Sequence, residues 1–376
     1  MRSMKLSAGI YCLVLICSPL ISQSAALVAE KILSIGPGAT GGSYLLVEIK
    51  GVRTDSSGNI YVLDSLRARI AKFNPFGEFM STIGKPLYDV NSHNELDNNE
   101  AYKKAEVRKA KLLSSRVTGE LSYPSALFVD DKRILVTDTG KLVLYDLLGN
   151  VERVVTPKEV ALMYAAFPNV RGELVLMGLA AQDSMFHVLD GAGAIARSFG
   201  DRFAVPPEIS GKWSGDLKDS KIKMASMPIS YFVGLGEEIL LLNPFRYEIN
   251  IFCGESLWKT LTGSSSYSSG FAGISESHIG GKLAGLIGGS IAAPVILERD
   301  GLILVFQAND RGATPSGVLR IFRVDIFKDY KYFKSFDLEL EGYPNYLGPK
   351  GHLFTIGSTQ KPFVNEYVLK SLPGLL

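Results

Sequence analysis

Cysteine is nearly absent from this 376-residue chain. Cys12 and Cys17 fall in the first 26 residues, which leaves Cys253 alone beyond them. One cysteine cannot form an intramolecular disulfide, so the fold is held by packing. Cys253 ends the alternating run Ile249-Asn250-Ile251-Phe252-Cys253 and reads there as a small buried apolar residue rather than a nucleophile. Histidine is also scarce. His93, His187, His278 and His352 show no His-x-x-x-His spacing, so a zinc site would have to be assembled from distant parts of the chain. No Gly-x-Ser-x-Gly elbow is present, and no Cys or Lys is marked for covalent catalysis. Gly280-Gly281, Gly285 and Gly288-Gly289 lack the Gly-Lys-Ser/Thr ending of a phosphate loop. Charge of one sign is missing as well: formal net charge is +2, and without Arg2 and Lys5 the chain carries 38 Lys+Arg against 38 Asp+Glu. Such a balance gives no global attraction to nucleic acid or anionic membrane.

The first 26 residues have the layout of a secretory signal. Arg2 and Lys5 make a charged start, Leu6 to Ile21 is mostly apolar, and Ser24-Ala25-Ala26 is a small-residue cleavage site. Ser7, Ser18 and Pro19 interrupt an apolar stretch that is short for a membrane span. Ile16 precedes Cys17 where lipoprotein processing wants a small residue. The expectation is an exported protein, periplasmic or secreted, with a signal over 1–26 and a single domain over 27–376.

What the chain does contain is a recurring phrase: a turn rich in Gly or charge, four to six apolar residues, then a small polar residue. It reads Gly58-Asn59-Ile60-Tyr61-Val62-Leu63-Asp64, with weaker copies starting at Ile134, Leu174, Ile239, Ile303 and Leu353. Pro124, Pro168, Pro228, Pro294 and Pro344 precede five of the copies. Repetition of this kind marks a unit that cannot bury its apolar face alone and stacks on copies of itself. Around the first copy the unit can be read in full. Val52 to Asp55, Ile60 to Asp64, Arg69 to Phe73 and Glu78 to Gly84 are short strands, separated by Ser56 to Gly58 and Asn74 to Gly77 turns. Four antiparallel strands make one propeller blade.

The Gly58-Asn59-Ile60-Tyr61-Val62 strand ending in Asp64, followed by Arg69-Ile70-Ala71-Lys72-Phe73, resembles the repeat of the NHL and TolB-like six-bladed β-propellers of exported bacterial type. The resemblance covers Gly51 to Gly84 well and Tyr123 to Val151 in part, and after Gly200 only strand spacing carries it. Gly178, Asn243, Gln307 and Gly357 stand where that family favours Asp. It implies an all-β fold of six blades.

The sixth unit, Tyr343 to Lys370, supplies three strands before the chain ends. Lys31 to Gly36 matches the fourth strand of the first unit, Phe79 to Gly84, in length, apolar placement and terminal Gly. Residues 31–36 are therefore expected to pair with 363–370, closing the last blade from both termini and removing free sheet edges. In such blades the first-to-second and third-to-fourth turns share one face. The second-to-third loops and blade connections share the other. Long excursions near 85–122, 201–227, 264–293 and 308–317 all belong to the second class, so they should crowd one face, where binding usually resides. Tyr102 to Leu113 reads as a helix with a basic face, and Gly263 to Gly289 as a flexible or tightly turned cover. Trp213 reads as a contact residue or a plug over the channel.

Asp64, Asp138, Asn243 and Gln307 end second strands toward that face. Calcium-dependent propeller lactonases use converging oxygen ligands of this kind. An Asp ending a strand also serves to satisfy backbone amides of the next turn. Arg67, Arg246 and Arg311, with Arg69, lie in or beside second-to-third loops, where guanidinium groups suit an anionic ligand or serve solubility. The leading expectation is a binding module that recognises a protein, peptide or glycan of the cell envelope, with no catalytic set and no required cofactor. The alternative is a metal-dependent hydrolase or lyase working at the central channel with calcium.

Overall fold

The computed structural model describes residues 27–36, 45–86, 119–234, 238–263, 271–279, 282–290, 294–299, 301–308, 319–348, 351–357 and 362–371. Six four-stranded antiparallel sheets follow one another as blades of a propeller. Strand β1 (Leu27–Ile35) is set apart by the chain and used last. Blade one is β2 (Ile49–Thr54), β3 (Ile60–Asp64), β4 (Arg69–Phe73) and β5 (Phe79–Ile83). After the short strands β6 (Lys85–Pro86) and β7 (Glu120–Leu121) comes blade two: β8 (Ala126–Val129), β9 (Arg133–Asp138), β10 (Lys141–Asp146) and β11 (Val151–Val155). Blade three is β12 (Val160–Pro168), β13 (Leu174–Ala180), β14 (Ser184–Leu189) and β15 (Ile195–Asp201). Blade four is β16 (Ser230–Val233), β17 (Glu238–Leu242), β18 (Glu248–Cys253) and β19 (Ser256–Thr262). The hairpin β20 (Phe271–Ile279) with β21 (Lys282–Ser290) stands outside the blades. Blade five is β22 (Val295–Arg299), β23 (Leu302–Ala308), β24 (Leu319–Lys328) and β25 (Lys331–Glu341). Blade six is β26 (Tyr343–Leu347), β27 (His352–Ile356), β28 (Val364–Ser371) and β1.

The closure from both termini is present and longer than expected. β1 pairs antiparallel with β28 from Leu27↔Ser371 to Ile35↔Val364, with a bulge between Lys31 and Leu33. Lys31 reaches Glu341 Oε2 at 2.8 Å, tying the closing strand to blade five.

Packing explains why the second strands are continuous apolar runs rather than alternating ones. β3 and β13 are buried at every position, because each sheet is covered on both faces by neighbouring blades. Buried apolar clusters fill all six interfaces: Val136 against Leu63 between blades one and two, Leu176 against Leu144 between two and three, and Phe186 against Phe252 between three and four. Leu240 with Val305 joins four to five, Phe306 with Leu353 joins five to six, and Phe354 with Val62 joins six to one. The outer strands β5 and β11 are largely exposed.

The hairpins within blades repeat one turn. Asn74 Oδ1 accepts from Phe76 N at 3.0 Å and Glu78 N at 2.9 Å; Asp146 Oδ1 accepts from Leu148 N and Asn150 N; Asp190 Oδ1 accepts from Ala192 N and Ala194 N. Each side chain holds the amides two and four residues on, as an Asx turn does. At the fourth position stands Gly77, Gly149 or Gly193. Gly193 has φ +78°, and a Cβ there would lie 2.5 Å from Thr156 O. Asp146 and Asp190 are held below the usual carboxyl range by the bonds they accept, led by Asn150 and by the Ala194 amide.

Proline placement follows from blade geometry. Pro124, Pro228, Pro294 and Pro344 sit at or just before the start of an innermost strand, whereas Pro168 ends one. An innermost strand has an unpaired edge toward the axis, so a residue without an N–H removes no ladder bond there.

One expectation is refined, one is corrected, and three lie outside the described residues. The segment expected as a flexible or tightly turned cover contains the β20–β21 hairpin, paired from Phe271↔Ser290 to Ile279↔Lys282. The two residues between its strands are Gly280-Gly281, a known hairpin signal. Cys253 is exposed, not buried. It is the last residue of β18 beside the Gly254-Glu255 turn, where the strand leaves the interblade core. The leader at 1–26, the helix expected at 102–113 and Arg311 lie outside the described residues.

Candidate functional site

The strand order places every long connection on one face. Residues 87–118, 202–229 and 263–294 join outer strands to the next innermost strand, and 309–318 joins β23 to β24. The segment 202–229 carries the helices Pro207–Ser210 and Lys218–Ala225. The second helix packs on the β20–β21 hairpin, with Lys221 Nζ 2.7 Å from Glu276 Oε1. Trp213, between the two helices, is half-buried and does not line the channel.

Insertion 87–118 leaves and returns at a single staple. β6 and β7 pair in parallel, Lys85 with Glu120 and Pro86 with Leu121. Tyr145 donates its hydroxyl to Gly119 O at 2.9 Å, and the buried Lys141 ammonium donates to Glu120 O.

The polar residues that end second strands are committed to their own blades. Asp64 is fully buried and accepts from the amides of Val47 at 3.3 Å and Glu48 at 3.1 Å. Asp138 accepts from Ser122 N at 2.8 Å and Tyr123 N at 2.7 Å. Each thereby fixes the segment leading into the innermost strand of its blade. Burial, only partly offset by these amides and by Arg69 or Lys141, pushes both carboxyls above their usual 3.8. Asn243 Oδ1 accepts from Phe245 N and Arg246 N within its own loop. Gln307 donates to Asp325 Oδ2 at 2.9 Å, and the same buried carboxylate receives Tyr247 from blade four and Arg323. Arg67 donates to Leu45 O at 2.8 Å, and Arg246 is well exposed with Glu248 at 3.9 Å. The four strand-end residues thus occupy equivalent places but point at separate partners. Among the described residues no group of three or more His, Cys, Asp or Glu is placed to hold a metal ion. His187 is buried with both ring nitrogens engaged, Nδ1 by Ser198 Oγ and Nε2 by Gly178 O, and burial lowers its pKa.

On the axis the innermost strands enclose a cavity of about 370 Å³ to which every blade contributes, among them Arg53, Phe128, Tyr164, Tyr231, Val295 and Tyr346 in blade order. Edge amides facing it are met by side chains from other blades. Asn345 Oδ1 accepts from Val52 N at 2.8 Å, and Ser230 Oγ accepts from Ile296 N at 3.1 Å. Burial raises the hydroxyl pKa of Tyr164 to about 12 and also raises that of Tyr231, the latter partly opposed by the Arg53 charge. Both phenols are therefore protonated donors at neutral pH. The cavity lining includes Lys50 and Arg53 but no carboxylate. None of these channel residues stands out in the sequence. The available signal was the position of Arg53, Tyr231 and Tyr346 on the innermost strands that follow a turn or a proline.

No protein-family model and no curated protein matches the chain. Solved structures do. A Bacteroides fragilis protein described as exported aligns at 11% identity over 92% of this chain and 96% of its own, with a TM-score of 0.51. A DUF4221 family member from Bacteroides vulgatus aligns at 9% identity over 93% and 99%, with a TM-score of 0.50. Identities this low speak for the propeller fold alone.

Proposed function

We propose that this protein is an exported propeller of the NHL-repeat or TolB-like kind that acts as a binding module. It takes a protein, peptide or glycan of the cell envelope, in the periplasm or outside the cell, on the face that carries its insertions. The observation that supports this most is that 87–118, 202–229, 263–294 and 309–318 all connect strand ends on one face of the ring, whereas the strands are joined on the opposite face by short turns. A rigid ring with long segments on one face matches how binding surfaces are built on β scaffolds. Export is supported by the charged, apolar and small-residue layout of 1–26. A structural neighbour described as exported is consistent with it.

Against a calcium-dependent role for Asp64 and Asp138 stand the two amides that each already accepts from in its own blade and the absence, among the described residues, of any group of three or more His, Cys, Asp or Glu placed to hold a metal ion. The β6–β7 staple makes the binding reading testable without dismantling the ring. Replacing 87–118 by a short Gly/Ser linker should leave the melting temperature within a few degrees and weaken capture of the envelope partner recovered by the intact mature protein. Undiminished capture by the linker variant would show that this insertion takes no part.

A further inference from the structure

Among the described residues that line the channel, Arg53 is the one cation without an acidic partner. Lys50 is held by Glu48 Oε1 at 2.8 Å. The Arg53 guanidinium, by contrast, lies 5.1 Å from the Tyr346 ring centroid and donates through Nη1 to Val52 O at 2.7 Å. Among the described residues no carboxylate lies within ion-pair distance of it. A half-buried guanidinium with a single backbone acceptor retains donors unmet by protein. Holding such a charge away from water without a counter-ion is unfavourable, so a site of this make-up favours an anion.

The neighbouring groups fit the same occupant. Tyr164 and Tyr231 line the cavity, and their hydroxyls make no hydrogen bond within the described residues. An anion can accept from both. Aromatic and aliphatic side chains such as Phe128 and Phe232 make up much of the rest of the wall, beside Ser125 and the already engaged Lys50, Ser230 and Asn345, and a cavity of about 370 Å³ is at the small end of ligand pockets. With Lys50 already paired to Glu48, the single guanidinium and the surrounding rings suit a singly charged anion with an apolar body better than a compact, multiply charged one.

We propose that the central channel binds a small organic carboxylate whose anion pairs with Arg53 and whose apolar body packs against Tyr164, Tyr231 and Tyr346. The site does not depend on the insertion-face reading, and it gives a role to an arginine that the ring otherwise leaves without a counter-ion.

Calorimetric titration of the mature protein with benzoate, hexanoate, benzamide and inorganic phosphate tests it. At least one of the two carboxylates should bind saturably, one per chain, at millimolar concentration or below. Benzamide and phosphate should bind at least about ten-fold more weakly, as the loss of a charge-assisted pair implies. Arg53→Gln should weaken carboxylate binding by about ten-fold or more, and Tyr231→Phe by a few-fold. Without ligand, Arg53→Gln should melt at the wild-type temperature or above, because a charge without a carboxylate partner has been removed. No saturable binding of either carboxylate would overturn the proposal. So would equal binding of benzamide or phosphate, unchanged binding by Arg53→Gln, or a marked loss of stability in that variant. The 87–118 linker variant should bind the carboxylate as wild type does, which separates failure here from failure of the insertion-face reading.

Discussion

Asp64 and Asp138 show how a residue can sit where a ligand set is expected and still serve the chain. Each is almost fully buried and meets two amides that no other group meets in the same way. Asp64→Ala or Asp138→Ala should lower stability by about 3 kcal/mol, since two inward amides lose their acceptor; the denaturant midpoint reads this directly, and it should not respond to calcium. The pH dependence has a definite sign. Burial raises both carboxyl pKa values above 3.8, so the folded state binds more protons than the unfolded state in that window. The stability these groups provide is full below 3.8 and declines as pH rises through the raised value. Urea midpoints measured from below pH 3.8 to neutrality should fall for wild type relative to Asp64→Asn, which has no proton to lose at that position. At this scale the sequence was half legible. The strand-ending Asp and its backbone role could be read from the motif, but not its partners, which lie 15 to 17 residues upstream, before the innermost strand, rather than in the next turn. Arg53 could not, because its surroundings come from Tyr346 and from Tyr231 on other blades.

Among the elements, β1 carries the largest consequence for its length. It precedes all the other strands in the chain and becomes the outer strand of the sheet formed by β26, β27 and β28. Removing residues 27–36 takes the buried Ile35 out of the interface between blades six and one and strips the cover from β28. The melting temperature should fall by roughly 10 °C or more, and an unchanged value would mean that the ring closes without it. This pairing was visible because Lys31 to Gly36 copies the pattern of Phe79 to Gly84. The β20–β21 hairpin was not, since its Gly and Ser content hides strand propensity and its turn signal, Gly280-Gly281, is two residues long. The repeated Asx turns were legible as turns, though not as one construction. Their shared form appears only when the accepting oxygen and the two amides are seen together.

The described residues form a ring with unlike faces: short Asx turns on one, the strand ends that the long connections join on the other, and on the axis a channel lined by aromatic, aliphatic and a few polar side chains with Arg53 among them. Interfaces between neighbouring blades are filled all the way round, so the scaffold has no blade whose loss the rest could absorb. The central claim is that partners meet the insertion-bearing face. Site-specific photo-cross-linking in the native envelope tests it most directly. A benzophenone side chain would replace Thr139, Gln182 or Arg246, which are exposed on second-to-third loops. The same group would replace Phe76, Leu148 or Val170, exposed on the turns of the opposite face. The account expects a discrete cross-linked product from the first set and none from the second; products from the second set alone, or from neither, would contradict it.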